Sequence, residues 1–371
     1  MKPYLAAAYN MDLKCLHEYK NCGIDEIFAG ASFPTNFGSG RLIHLYEPIT
    51  YDELGEHFQE AKRLEIKTTF LFNPACSGGK EWKPEGMHEI INVARFINAF
   101  SVDYLVLSHP FLVNVFRRLC PDVKIKISSH YNVDNISKFK LFLEYLDVDV
   151  VTVSQFANKN FTLLRTVVEA YGPHRLEILC CVPCIAGCPF RAWHAMSFAH
   201  ANEADIFFRR PDCELKERFP PCMFEMALHP NVLMSSMFVR REDLKYYQDL
   251  GINRFKIGER MYPTPHNIAC ARYYSHKMRR PSKQFIDFLF RSRVAEADLM
   301  AMDGFYEPFF NGDCDGTKYN CDDCEHCSAY ATKVFEIKKE LLQLSGENYH
   351  KHYFGNYARY LEKLTATFKN T

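Results

Sequence analysis

The chain has 371 residues, equal numbers of basic and acidic side chains (45 each) and a hydrophobic content of 47%. That composition excludes a disordered or fibrous protein and fits one α/β barrel with an appendage. The zero formal charge gives no sign of a strong nucleic-acid-binding field, although it does not rule nucleic acid out. No run reaches the ~18 apolar residues that span a bilayer, and no basic leader precedes the first apolar segment, so the expectation is a cytoplasmic protein without a membrane partner. Fifteen cysteines without an export signal point to metal binding or redox chemistry rather than disulfides.

Short apolar runs rich in β-branched and aromatic residues recur at Tyr4–Ala8, Glu26–Ala29, Lys67–Phe72, Tyr104–Ser108, Lys124–Ser128, Val148–Val153, Leu176–Cys181 and Arg254–Ile257. Between them lie helical spacings, such as Leu54, Phe58, Ala61 and Leu64, or Phe139, Phe142, Leu143 and Leu146. Strands separated by helices imply parallel βαβ units, and eight of them fit a (β/α)8 TIM-like barrel over residues 1–280. Absence of a G-x-G-x-x-G after any strand disfavours a doubly wound sheet. A further run, Val232–Met237, reads as a short strand beside the barrel, and residues 281–301 read as helical. Residues 281–371 form a C-terminal extension, with a Gly-, Asp- and Cys-rich stretch at 302–327 and two closing helices at 328–344 and 347–368.

Polar residues close many strands: Asn10, Asn73, Ser108 and His109, Ser129 and His130, Ser154 and Gln155. In a barrel these ends converge on the catalytic face, so a pocket lined by Asn73, His109, His130 and Lys256 is expected there. Asn73, His130, Lys256 and Arg260 are the candidate catalytic residues, the two cations serving an anionic substrate or donor group.

Two cysteine sets carry the metal expectation. Leu176–Arg191 reads LEILCCVPCIAGCPFR, in which a strand runs into Cys184 and Cys188; Cys213 and Cys222 follow on a Pro-rich segment. Four thiolates from a loop and a later segment suit a [4Fe–4S] cluster or zinc, with Cys180 and Cys181 as substitutes. Cys314–Cys327 reads CDGTKYNCDDCEHC, where Cys321, Cys324 and Cys327 form C-x2-C-x2-C and Cys314 lies seven residues earlier. This spacing wraps one centre, iron–sulfur or zinc, so the chain would hold one or two clusters. Cys15, Cys120 and Cys270 read as small core residues. The C-x3-C-x2-C of radical-SAM proteins, H-E-x-x-H and G-x-S-x-G are all absent from the sequence.

Two stretches carry a resemblance. One is Leu176–Arg191; the other, Met234–Arg260, reads MSSMFVRREDLKYYQDLGINRFKIGER. Ser235, Asp243, Leu244, Gly251, Lys256, Ile257 and Arg260 match the pattern of the collagenase-like peptidases of unknown catalytic type, peptidase family U32, with Gly258 and Glu259 in swapped order. Weaker echoes are Asn73, Ser129, Asn132 and Asn135. The resemblance covers roughly residues 1–280. It implies either peptide cleavage or, as in members that bind a [4Fe–4S] cluster through four cysteines, oxygen-independent hydroxylation of a quinone precursor or of RNA bases, with prephenate implicated as hydroxyl donor in the RNA cases. The leading expectation is an iron–sulfur enzyme that hydroxylates or otherwise redox-modifies a small-molecule or peptide substrate without oxygen. The alternatives are a peptidase, and a cluster-bearing protein that carries electrons to, or scaffolds, a partner.

Overall fold

The computed structural model describes residues 1–31, 35, 37, 40, 48–181, 184–188, 191–201, 229–236, 238–259, 262–290, 294–316, 324–338, 362, 365–366 and 368–369. Eight parallel strands close into a barrel in chain order: β1 (Tyr4–Ala8), β2 (Glu26–Ala29), β3 (Lys67–Phe72), β4 (Tyr104–Leu107), β5 (Lys124–Ile127), β6 (Val150–Thr152), β7 (Leu176–Leu179) and β8 (Arg254–Ile257). β1 pairs with both β2 and β8, which closes the ring. The chain therefore folds as the expected TIM-like α/β barrel.

Capping chemistry sets the helix starts. Thr50 and Glu53 make a reciprocal capping box before the helix Tyr51–Arg63, and Leu54, Phe58 and Ala61 of that helix are buried against the barrel. Asp12 caps the helix Leu13–Cys22, which stops at Gly23 in the left-handed region (φ 68°).

Alternation along each strand sorts side chains into two shells. Outward residues such as Leu5, Ile27, Phe70, Leu105, Ile125, Ile127, Ile178, Phe255 and Ile257 join the helices in the main core. Inward residues form a smaller apolar cluster, Ala6, Ala8, Phe28, Leu71 and Val106. Below it, towards the N-terminal mouth, the lumen is charged. Lys126 lies 2.5 Å from Glu26 and 2.9 Å from Glu177, and all three are almost fully buried. Arg254, Tyr4 and Thr69 also donate to Glu26, and Thr152 donates to Glu177.

Three local readings are corrected. Residues 230–235 are a helix (Pro230–Ser235), not a strand; Pro230 starts it, and an apolar run this short does not distinguish strand from buried helix. The stretch 281–301 is not one helix: it comprises the helix Lys283–Leu289, a strand β9 (Val294–Ala297) and a 3-10 turn, Leu299–Met302. β9 is extended because it pairs with β10 (Phe335–Ile337), a partner about forty residues away that local spacing does not reveal. β10 likewise interrupts the first expected closing helix, which runs only from His326 to Val334. The second lies almost wholly outside the described residues. Among the described residues no helix is long and apolar enough to cross a membrane.

Candidate active site at the C-terminal mouth of the barrel

β3, β5, β7 and β8 deliver their following residues to one cavity of about 150 Å³ at the C-terminal mouth. Asn73, Ser128, His130, Cys184 and Lys256 all line it. Asn73 donates its amide to Ser128 Oγ at 2.9 Å, and Ser128 Oγ also accepts from the backbone N–H of His130 at 3.2 Å. His130 Nδ1 lies 3.2 Å from the carbonyl oxygen of Asn73. A carbonyl only accepts, so this contact places the proton of a neutral His130 on Nδ1 and makes Nε2 the basic nitrogen. Gly40 packs against the ring: a Cβ there would lie 2.6 Å from His130 Cε1.

Lys256 projects into the lumen from β8, its ammonium 4.2 Å from the centre of the Phe28 ring. Beneath it Glu177 is fully buried; desolvation alone would raise its carboxyl, but Lys126, Lys256 and Arg254 outweigh that and hold it down at about 2. The floor of the cavity is thus a cation over a fixed, ionised lattice.

Arg191, Phe198 and Glu259 line the cavity without having been singled out for it by the sequence, whereas Gln155 is one of the polar strand ends expected on this face. Gln155, 1% exposed, lines the cavity with its Nε2 without a hydrogen-bond partner. Arg191 reaches the cavity from the helix Arg191–Ala201, as do His194 and Phe198 of the same helix. Glu259 also lines it, and this explains the swapped pair: Gly258 takes φ 77°, where a Cβ would lie 2.8 Å from Asn267 Oδ1, and the next residue turns to the cavity. The polar strand ends signal such positions, whereas Arg191 is brought in by a helix and carries no local mark.

His109 is corrected: it does not line the cavity but caps the helix Pro110–Leu119 through Nδ1 and approaches buried Glu81 at 3.4 Å. Arg260 lies outside the described residues.

The cysteines separate into two kinds. Cys15, Cys120 and Cys270 are buried in the core, as expected. Cys180 and Cys181 are buried beside them: burial pushes the Cys180 thiol up, and Cys181 Sγ sits 3.5 Å from Cys270 Sγ. Cys184 and Cys188 are half-buried on one turn, with Gly187 at φ 65° between them. Two thiols on a tight turn beside the cavity fit half of a four-thiolate set; Cys213 and Cys222 lie outside the described residues. In the extension, Cys314 and Cys327 are half-buried, Cys324 is exposed and Cys321 lies outside the described residues. Among the described residues no three potential ligands gather as a metal site. His326 is engaged elsewhere, stacked on Phe305 with Nε2 3.0 Å from the Phe305 carbonyl oxygen.

Residues 11–155 match the sequence model of peptidase family U32. That match covers 145 of the 371 residues, with strands β2 to β6 of the barrel. Over 317 residues the chain is 27% identical to an uncharacterized protease of Methanocaldococcus jannaschii, spanning 84% of this chain and 89% of the relative. Among solved structures, it is similar to a U32 peptidase (23% identity, TM-score 0.45, 56% of this chain and 79% of that one). It is also similar to a D-psicose 3-epimerase (12% identity, TM-score 0.35, 56% and 82%).

Proposed function

We propose that this protein, similar to peptidase family U32, binds a polar organic substrate in the C-terminal cavity and modifies it by oxygen-independent redox chemistry, hydroxylation above all, with an organic hydroxyl donor supplying the oxygen and being reduced in turn, beside an iron–sulfur cluster held by Cys184, Cys188, Cys213 and Cys222. One observation carries the reading: Cys184 lines the same cavity as Asn73, His130 and Lys256. A [4Fe–4S] centre, when bound, supplies one-electron transfer at that wall. The chain's own residues do the rest. Lys256 offers a positive charge to an anionic group, with Arg260 as its proposed second cation. Nε2 of His130 accepts a proton, while Asn73 and Ser128 hold the ring in place. A second, separate centre on Cys314, Cys321, Cys324 and Cys327, iron–sulfur or zinc, is proposed for the extension.

Anaerobic purification tests this. The expected protein is brown, with about four irons and four sulfides per cluster, and loses one complement in Cys184→Ala and Cys188→Ala. Changing Cys321, Cys324 and Cys327 together to Ala removes about four further irons if the second centre is a cluster, or about one zinc if it is a clasp. Lys256→Ala is expected to weaken substrate binding without loss of iron. A colourless, iron-free protein that cleaves peptides overturns the redox reading in favour of the peptidase named for its relatives.

A further inference from the structure

Lys159 leaves the same loop after β6 as Gln155, but it does not line the C-terminal cavity: it is fully buried against the extension. Its ammonium donates to the carbonyls of Ser236 at 2.6 Å and Met234 at 3.5 Å, and lies 5.1 and 5.2 Å from the ring centres of Phe305 and Phe309. Among the described residues these neutral carbonyls are its only hydrogen-bond partners. Asp243, the carboxylate whose charge it feels, is gripped at both oxygens by Arg240. An ammonium taken out of water without a counter-ion of its own is costly. The rings that cage it stand on the elements that carry the cysteines of the extension. Phe309 belongs to the helix Glu307–Asn311, whose end is closed by the backbone N–H of Cys314, donating to the carbonyl of Pro308 at 3.2 Å. Phe305 is stacked by His326, and Cys327 is the next residue of that helix. Cys314 and Cys327 both pack half-buried against the same core. Cys314 Sγ accepts from the backbone N–H of Gly316 at 3.4 Å, on a turn that Gly316 makes at φ 78°. Such a contact favours a thiolate, so the donor set fits a metal centre. As thiolates, Cys327 and Cys314 would both attract the Lys159 ammonium, Cys327 more strongly than Asp243 does.

We propose that Lys159 is the internal counter-charge of a metal centre on Cys314, Cys321, Cys324 and Cys327, an inference that rests on the reading of those cysteines as one centre. Zinc and an oxidised [4Fe–4S] core each bring two positive charges to four thiolates, so either leaves two negative charges to be balanced. The chain around the cysteines does not balance them: Asp313, Asp315 and Glu325 add to the negative charge. On the dry inner side, where charges are little screened, Lys159 offsets part of the excess, and the centre in turn offsets the cost of burying Lys159. Lys159 ligates nothing in this arrangement; it positions charge. The pairing ties the extension to the loop after β6, whose Gln155 lines the C-terminal cavity.

The test uses the full chain purified anaerobically, with the metal of the extension assigned by comparison with the variant in which Cys321, Cys324 and Cys327 are all Ala. EDTA is added, and the metal left on the chain is counted over time. Lys159→Met is expected to lose that metal about tenfold faster than the parent, as when a metal site is deprived of a supporting residue. Lys159→Gln keeps a donor for the Ser236 carbonyl without the charge, and is expected to lose metal as fast as Lys159→Met; it carries the comparison if the methionine variant does not fold. The fall in melting temperature caused by either change is expected to be larger in the loaded chain than in the triple-Ala background. Parental metal retention in Lys159→Gln overturns the counter-charge and leaves the centre standing. An equal loss of stability with and without the cysteines makes Lys159 a structural tie, and overturns it too. If the triple-Ala variant holds the same metal as the parent, the centre itself is absent and both readings fall together.

Discussion

Lys126 bridges Glu26 and Glu177 at the centre of the lumen, 1% exposed. Lys126→Met keeps the volume and strips buried Glu177 of its ion-pair partner, while Glu26 keeps Arg254. Loss of one partner of such a group costs about 3–5 kcal/mol, and urea unfolding is expected to show a fall of that size; a variant as stable as the parent contradicts the lattice. The same lattice fixes a pH response. Glu177 is held at about 2, below its ordinary 4.5, so the folded state binds fewer protons than the unfolded chain between those values. Its contribution is full above pH 4.5 and drains away as the pH falls towards 2. In Glu177→Gln the acid limb of stability is therefore expected to flatten over that window, and an unchanged limb rejects the assignment. At the other mouth, Gly40→Ala places a methyl 2.6 Å from His130 Cε1. The ring must turn away from the Asn73 carbonyl, and the imidazole titration seen by NMR is expected to move while the fold persists. A superimposable titration argues that Gly40 does not position His130.

Elements were legible to the extent that their partners were local. β1, β2, β3 and β8 occupy the expected residues, while β4 to β7 lose one to three, because their ends bend into caps such as Ser128. Where the deciding partner is distant, the reading failed: β9 is a strand because of β10, and the helix Pro230–Ser235 is fixed by Lys159, fully buried, which donates to the carbonyl of Ser236 at 2.6 Å. The lumen charges did leave a signal, since KIKI in β5 and RFKI in β8 alternate charged and apolar residues. In an antiparallel sheet that pattern means a solvated face; in a barrel clad by helices the alternate face is the interior, which holds Lys126, Arg254 and Lys256. Arg240 shows how one side chain ties elements together. It is 2% exposed, grips Asp243 at 2.7 and 2.8 Å, and donates to the carbonyls of Leu299 and Met302 in the extension. Arg240→Ala is expected to cost about 3–5 kcal/mol, because Asp243 is left buried and unpaired. Arg240→Lys should rescue little, a point charge being unable to grip two oxygens at once. Near-parental stability of either variant in denaturant refutes this role.

The whole molecule is joined across the change of composition near residue 280. One continuous core runs from Leu5 to Val334. Lys159 sits among the rings of Phe238, Phe305, Tyr306 and Phe309, at 5.1 to 6.0 Å from their centres. Burial pulls its ammonium down to about 8, against the opposing charge of Asp243. Tyr306 donates to the carbonyl of Phe238 at 2.8 Å, and Phe310 packs on Phe161 at 5.4 Å. Nothing local in the sequence tells a ring in a barrel wall from a ring that cages a distant lysine. Removing residues 281–371 would strip Phe305, Tyr306, Phe309 and Phe310 from the barrel in one cut. Phe161 and Phe238 would lose ring partners, and Lys159 would lose much of the cage that hides it. Exposed apolar patches of that kind drive association. The truncated chain 1–280 is therefore expected to aggregate on expression, and the full chain to unfold in a single calorimetric transition in which barrel and extension melt together. A soluble 1–280 fragment with a parental melting temperature, or two separate transitions in the full chain, shows instead that the extension is an independent unit docked on a self-sufficient barrel.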